Sequence, residues 1–126
     1  MSTLDAHLVA IDARTGNLLW DVEVAEHSSG YSKTAAPMIV KDKVVTGIAG
    51  GEFGIRGFID AYDAATGELA WRAYTIPGPG EFGNDTWAGD SWKTGGSATW
   101  ITGAYDPDLN LVYCCLLYTS PSPRDS

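Results

Sequence analysis

The apolar positions of this chain fall in short runs separated by glycine and polar turns. Leu8-Val9-Ala10-Ile11 and Leu18-Leu19-Trp20 read as one pair of strands, and Gly57 to Tyr62 with Leu69-Ala70-Trp71 as another. Between these pairs, Ala36-Pro37-Met38-Ile39-Val40 and Lys43 to Ile48 flank a short turn around Asp42. Pro37 suits the start of a strand and not its middle, because it has no N–H to give the ladder. Residues 36–74 therefore predict four antiparallel strands. Residues 8–25 predict the last two strands of a preceding unit, and residues 98–113 the first two of a following one.

A repeat underlies this spacing. Ala10-Ile-Asp-Ala-Arg-Thr-Gly-Asn-Leu-Leu-Trp20 recurs as Ala61-Tyr-Asp-Ala-Ala-Thr-Gly-Glu-Leu-Ala-Trp71, 51 residues further on. That offset suits propeller blades with insertions. Asp12 and Asp63 are placed to accept hydrogen bonds from turn amides, and Gly16 and Gly67 to take the positive φ that closes a hairpin. The tryptophan offers a large apolar face to a neighbour. A third, degenerate copy begins at Ala104-Tyr105-Asp106, with Pro107 to Asn110 in place of the Thr-Gly turn. One four-stranded blade cannot hide its own faces, so the chain is expected to be a fragment of a larger all-β propeller.

Composition agrees. Fifteen glycines and six prolines fit a turn-rich all-β chain, and 44% hydrophobic residues exclude disorder by composition. Sixteen acidic against eight basic residues give a net charge of −8, which argues against nucleic acid and against an anionic membrane surface as partners. No stretch approaches the roughly 18 apolar residues of a membrane span. Met1 to His7 has neither the basic segment nor the apolar run of an export signal. His7 and His27 stand alone, without ligand spacing.

Two connections are long. Glu26 to Thr34 is polar; Thr75 to Gly96 is rich in glycine and proline and holds Trp87 and Trp92. Ordered loops longer than about 12–15 residues usually have a task.

The Trp-bearing unit resembles the blades of dehydrogenases that use pyrroloquinoline quinone (PQQ), and the likeness extends past the repeat. Thr34-Ala-Ala-Pro-Met-Ile-Val40, Gly50-Gly-Glu-Phe-Gly-Ile-Arg-Gly57, Asp85 to Gly96 and Ala98 to Tyr113 are all similar to segments of that family, in order and in register over roughly residues 4–113. The ethanol and methanol dehydrogenases look nearest. The resemblance implies part of an eight-bladed propeller, about one full blade and two partial ones, from a periplasmic enzyme that oxidises primary alcohols to aldehydes. It implies PQQ and Ca²⁺ as cofactors, with a lanthanide as the other metal, and a cytochrome c-type electron acceptor. The metal would act as a Lewis acid on the quinone carbonyl.

Residue by residue, Glu52 matches the glutamate that binds the metal beside PQQ; Ca²⁺ takes six to eight oxygen ligands, so one glutamate supplies only part of such a site. Trp100 matches the tryptophan beneath the flat quinone. Thr34 matches a hydroxyl donor to the cofactor, and Ala49, Gly50 and Gly51 a turn whose backbone approaches it. Ala49 departs from the methanol enzymes, which resemble each other in having serine there, and Ala98 stands where some members have threonine. Arg56, Asp90, Lys93 and Asp106 belong to no motif, and salt bridges and turn caps are their expected roles. The family's catalytic aspartate falls outside this sequence, so no residue here is assigned as general base.

After Tyr113 the family continues differently, and residues 114–126 read as a non-native Ser/Pro-rich tail. Cys114 and Cys115 are adjacent, yet the family's vicinal disulfide lies in an earlier blade, so that pairing is not assigned. The rival reading is a non-catalytic PQQ-like propeller scaffold for protein–protein interaction. The blade repeat suits both; Glu52 in its glycine-rich setting and Trp100 after Gly95-Gly96 suit only the enzyme.

Overall fold

The computed structural model describes residues 1–116 and, at Glu52, the backbone; of the predicted tail, residues 117–126 lie outside the described part. Among the described residues, eight strands form three antiparallel sheets. β1 (His7–Ile11) pairs with β2 (Leu18–Glu23). β3 (Met38–Val40), β4 (Lys43–Gly47), β5 (Phe58–Asp63) and β6 (Leu69–Tyr74) follow one another in a four-stranded meander. β7 (Ala104–Asp106) pairs with β8 (Leu111–Tyr113). This is the expected arrangement of one blade with a hairpin on either side.

Several strand boundaries shift from expectation, and two of the shifts have identifiable reasons. β3 begins at Met38, past Pro37, which cannot donate to the ladder. β4 stops at Gly47 because Ile48 turns its hydrogen bonds elsewhere: its N–H donates to Thr99 Oγ1 at 3.1 Å, and its carbonyl accepts from the Thr99 N–H at 3.0 Å.

The repeat codes for the same turn each time. Asp12 Oδ1 accepts the amides of Arg14 and Thr15 at 2.8 and 3.2 Å, and Asp63 Oδ1 those of Ala65 and Thr66 at 2.9 and 3.2 Å. Gly16 and Gly67 sit at φ 77° and 78°, where a Cβ would be strained. The degenerate copy keeps the device: Asp106 Oδ1 accepts the amides of Asp108 and Leu109 at 2.9 and 3.2 Å, and Asn110 takes the left-handed position at φ 55°. Asparagine tolerates that conformation better than other side-chain-bearing residues.

The core lies between the first hairpin and the four-stranded sheet. Ala6, Leu8 and Val24 meet Val44, Ile48, Ile55, Phe58 and Tyr62, with Trp20, Val22, Ala25 and Tyr31 packed around them. Burying each of Leu8, Ile48 and Phe58 stabilises the seam by roughly 1.5–3 kcal/mol. Trp20 extends the seam: its indole lies over the Gly67 turn so closely that a Cβ on Gly67 would come within 2.7 Å of the ring. Arg72 Nη2 also crosses the seam, donating to the Val24 carbonyl at 2.9 Å.

Candidate functional site

Antiparallel pairing puts the start of β3, the end of β4 and the start of β5 at one end of the blade, opposite the Asp63–Gly67 turn. Every residue singled out from the sequence as a cofactor contact lies in segments at that end.

The first segment is the polar connection into β3. Ser32 and Ala49 exchange backbone hydrogen bonds, at 3.2 Å from the Ser32 N–H and 2.8 Å from the Ala49 N–H. This pairing sets Thr34, which is exposed, beside the loop that follows β4. That loop then folds tightly. Gly50 has φ 114°, and a Cβ there would lie 2.1 Å from the Gly30 carbonyl oxygen, so only glycine fits. Gly51, Glu52 and Phe53 make one 3-10 turn, closed by the Phe53 N–H on the Gly50 carbonyl at 2.8 Å and ended by Gly54 at φ 74°.

The third segment, Gly95 to Trp100, is strapped across the same end. Gly57 N–H donates to the Gly96 carbonyl at 2.7 Å, and Gly96 N–H to the Ile55 carbonyl at 2.8 Å. Thr99 is the central fastener. Besides its two bonds with Ile48, its hydroxyl donates to the Phe58 carbonyl at 2.7 Å, and a Cβ on Gly47 would come within 2.0 Å of its carbonyl oxygen. Gly51 faces Ala98 across 3.4 Å measured from a Cβ built on the glycine. Trp100 follows at once and is 42% exposed, high for so large an apolar side chain.

The long Thr75–Gly96 connection braces this strap. Arg56 Nε and Nη2 both donate to the Ile76 carbonyl, at 3.0 and 2.7 Å, and its guanidinium lies 3.9 Å from the centre of the Tyr74 ring and 4.8 Å from that of Trp92. Trp87 packs against Gly95, where a Cβ would meet its ring at 2.5 Å. Lys93 pairs with Asp90 at 3.6 Å, and Asp106 caps its turn. Asp90, Lys93 and Asp106 thus take ion-pair and turn-cap roles, as expected, while Arg56 chiefly binds a backbone carbonyl and stacks on aromatic rings. His7 Nδ1 is 2.7 Å from Asp21, and His27 Nδ1 is 2.9 Å from the Tyr31 carbonyl. Cys114 and Cys115 are free and exposed.

Sequence reasoning missed a buried polar cluster beside the site. Lys33 is 2% exposed and donates from Nζ to the Gly47 carbonyl at 2.6 Å. Burial lowers its pKa to about 8, with the Asp60 charge opposing the shift. Asp60 is fully buried; its Oδ2 accepts from the Tyr62 hydroxyl at 2.8 Å and from Arg72 Nη2 and Nε at 2.7 and 3.2 Å. Burial nevertheless holds the Asp60 carboxyl above the usual carboxylate range, with Lys33, Tyr62 and Arg72 opposing. One signal could have found this pair: the repeat's hairpin register sets Asp60 opposite Arg72.

A four-stranded blade, seamed to a neighbour by a tryptophan and bearing a glycine-rich loop and an exposed indole at one end, defines a propeller of the quinoprotein type. The chain belongs to the family described as PQQ: glucose/ethanol/alcohol dehydrogenase, β-propeller domain, whose profile matches residues 1–123. It is 48% identical over 127 residues to the quinoprotein alcohol dehydrogenase PedH of Pseudomonas putida, an alignment covering 87% of this chain and 21% of the relative. It is 43% identical over 132 residues to the lanthanide-dependent methanol dehydrogenase of Methylacidiphilum fumariolicum, covering 90% of this chain and 21% of the relative. Among solved structures, the quinohemoprotein alcohol dehydrogenase ADHIIG of Pseudomonas putida superimposes with a TM-score of 0.82 at 46% identity, over 91% of this chain and 19% of that one. The chain therefore spans about a fifth of the length of the relatives it matches.

Proposed function

We propose that the protein carrying this chain is a quinoprotein dehydrogenase that oxidises primary alcohols to aldehydes, with PQQ held beside a Ca²⁺ or lanthanide ion. The observation that supports this reading is the convergence of Thr34, the Ala49–Glu52 loop and Trp100 at one end of the blade, in a chain of this family. The residue types fit the group. Thr34 is an exposed hydroxyl, Trp100 an exposed indole suited to a planar ring, and the glycine loop lets backbone approach closely. Glu52 brings the hard carboxylate oxygen that such a cation prefers.

A bound quinone would supply an acceptor for one hydride equivalent, which carries both electrons of the alcohol oxidation, while the hydroxyl proton goes to a base. This chain's residues orient the quinone. Trp100 would support the planar ring, Thr34 would hold a polar group of the cofactor, and Glu52 would contribute oxygen to the metal. The remaining oxygen donors and the general base come from other blades. The complete protein is periplasmic and passes electrons to a cytochrome c-type acceptor. Residues 1–113 form the propeller part that carries these residues. The chain by itself oxidises no alcohol.

The test is PQQ binding and alcohol oxidation by the complete protein in the presence and absence of calcium or a lanthanide. Metal-dependent binding that is lost in Glu52→Ala is the expected result. A protein that takes up no PQQ with either metal is a scaffold, and the proposal fails.

A further inference from the structure

Lys33 occupies an unusual place. Lysine is rarely buried, because removing an ammonium from water is costly unless it is paired and hydrogen-bonded. Here it is 2% exposed, and its bond goes to a backbone carbonyl, that of Gly47. Gly47 is the last residue of β4, where the loop to Glu52 begins, and Lys33 directly precedes Thr34. A single 2.6 Å contact thus ties the segment bearing the expected hydroxyl to the loop bearing the expected metal ligand. The Ser32–Ala49 backbone pair lies alongside, so the two segments are fastened at neighbouring points.

The negative charge that favours the Lys33 ammonium comes from Asp60 in the blade itself, without a direct ion pair between the two. Asp60 on β5 is fully buried; Arg72 on β6 and Tyr62 on β5 occupy its Oδ2, while Oδ1 has no hydrogen-bond partner among the described residues. Arg72 opposes the lysine's charge and Asp60 favours it. The carboxylate field therefore reaches both cations from the seam between hairpin and blade.

We infer that Lys33 is a positioning residue of the cofactor end: its ammonium, balanced by Asp60, clamps Thr34 to the Gly47–Glu52 loop and so sets the affinity of that end for its metal. This rests on the quinoprotein reading above.

The test uses the complete protein loaded with PQQ, with calcium titrated and followed by the quinone absorbance. Partners that orient a metal ligand typically contribute 10- to 100-fold in affinity, and Lys33→Met is expected to weaken calcium binding by about that factor. Wild-type affinity should fall as pH rises through about 8, where the ammonium loses its proton. The methionine variant should show no inflection there. Asp60 keeps Arg72 and Tyr62 in that variant, so it should fold. The double variant Lys33→Met with Asp60→Asn removes both charges and should bind calcium as weakly as the single one. Unchanged calcium affinity in Lys33→Met, a shared pH profile, or recovery in the double variant overturns the inference. Recovery would mean that an orphaned Asp60 charge caused the loss. Wild-type protein that binds neither PQQ nor calcium is the separate failure of the quinoprotein reading, and the inference falls with it.

Discussion

The indole N–H of Trp20 donates to the carbonyl of Ala64 at 3.0 Å, joining the first copy of the repeat to the turn of the second. Trp71, the same residue one repeat later, has no such turn over it among the described residues and is 46% exposed. Within the repeat, the tryptophan is thus a connector between blades rather than a core residue of its own hairpin.

Replacing Trp20 should consequently loosen the seam while sparing each hairpin. Large-to-small truncation of a buried aromatic costs about 3–5 kcal/mol, and since Trp20 is only partly buried, Trp20→Ala should fall at or below the low end of that range. Trp20→Phe should lose chiefly the hydrogen bond, about 1 kcal/mol. Gly67→Ala should also destabilise, because it adds a Cβ at φ 78° beneath the ring. Denaturant unfolding of the complete protein measures all three, and a neutral Gly67→Ala would contradict the packing described.

Thr99 should matter more than its small side chain suggests. Thr99→Val keeps the shape but removes the hydroxyl that serves the Ile48 N–H and the Phe58 carbonyl, both buried. Each unsatisfied buried group costs about 1–3 kcal/mol. Hydrogen exchange should show faster opening at Ile48 than in the wild type, and unchanged exchange there would show that the strap is held by other contacts.

Trp100→Ala in the complete protein should weaken PQQ binding without changing the melting temperature of the cofactor-free form. Aromatic stacking contributes about 0.5–1.5 kcal/mol, up to roughly tenfold in the dissociation constant. Quinone binding followed by fluorescence quenching reads this out. Equal affinity in both proteins would remove Trp100 from the site.

His7 supplies a pH signature. Its hydrogen bond to Asp21 raises the imidazole pKa above the ordinary histidine value, against a smaller opposing effect of desolvation. The protonated form is therefore favoured more in the folded than in the unfolded chain. This stabilisation is complete below the unfolded histidine pKa and is lost as pH rises through the raised folded value. It is small, since both side chains are accessible. Asp21→Asn should bring the His7 titration, followed by NMR, back toward the ordinary value.

Most of the blade was legible because its signals are local. Asp12, Gly16, Asp63 and Gly67 specify turns through their own neighbours, and the strands follow from runs between turns. Even the third hairpin was visible at Asp106, although Asn110 in the glycine position disguised it. The gathering of Thr34, Glu52 and Trp100 was legible only through family likeness. No local rule says that Thr99 will strap onto Ile48, more than fifty residues earlier. Lys33 escaped notice because a charged residue between the polar Ser32 and Thr34 reads as solvated, and Asp60, between Ile59 and Ala61, because a lone charge in an alternating strand reads as its solvent face. Their burial is decided by the hairpin that closes over them, and that is a tertiary fact.

The reach of Trp20 onto the turn of the next repeat has a kinetic consequence. Each blade's tryptophan leaves the ribosome before the turn it will cover, so a seam can close only after the next repeat has been made. Assembly is therefore vectorial, with one indole outward at the growing edge at every stage. That edge is an apolar surface exposed for as long as synthesis of the following repeat takes, and in that interval the nascent propeller is most prone to association with other chains.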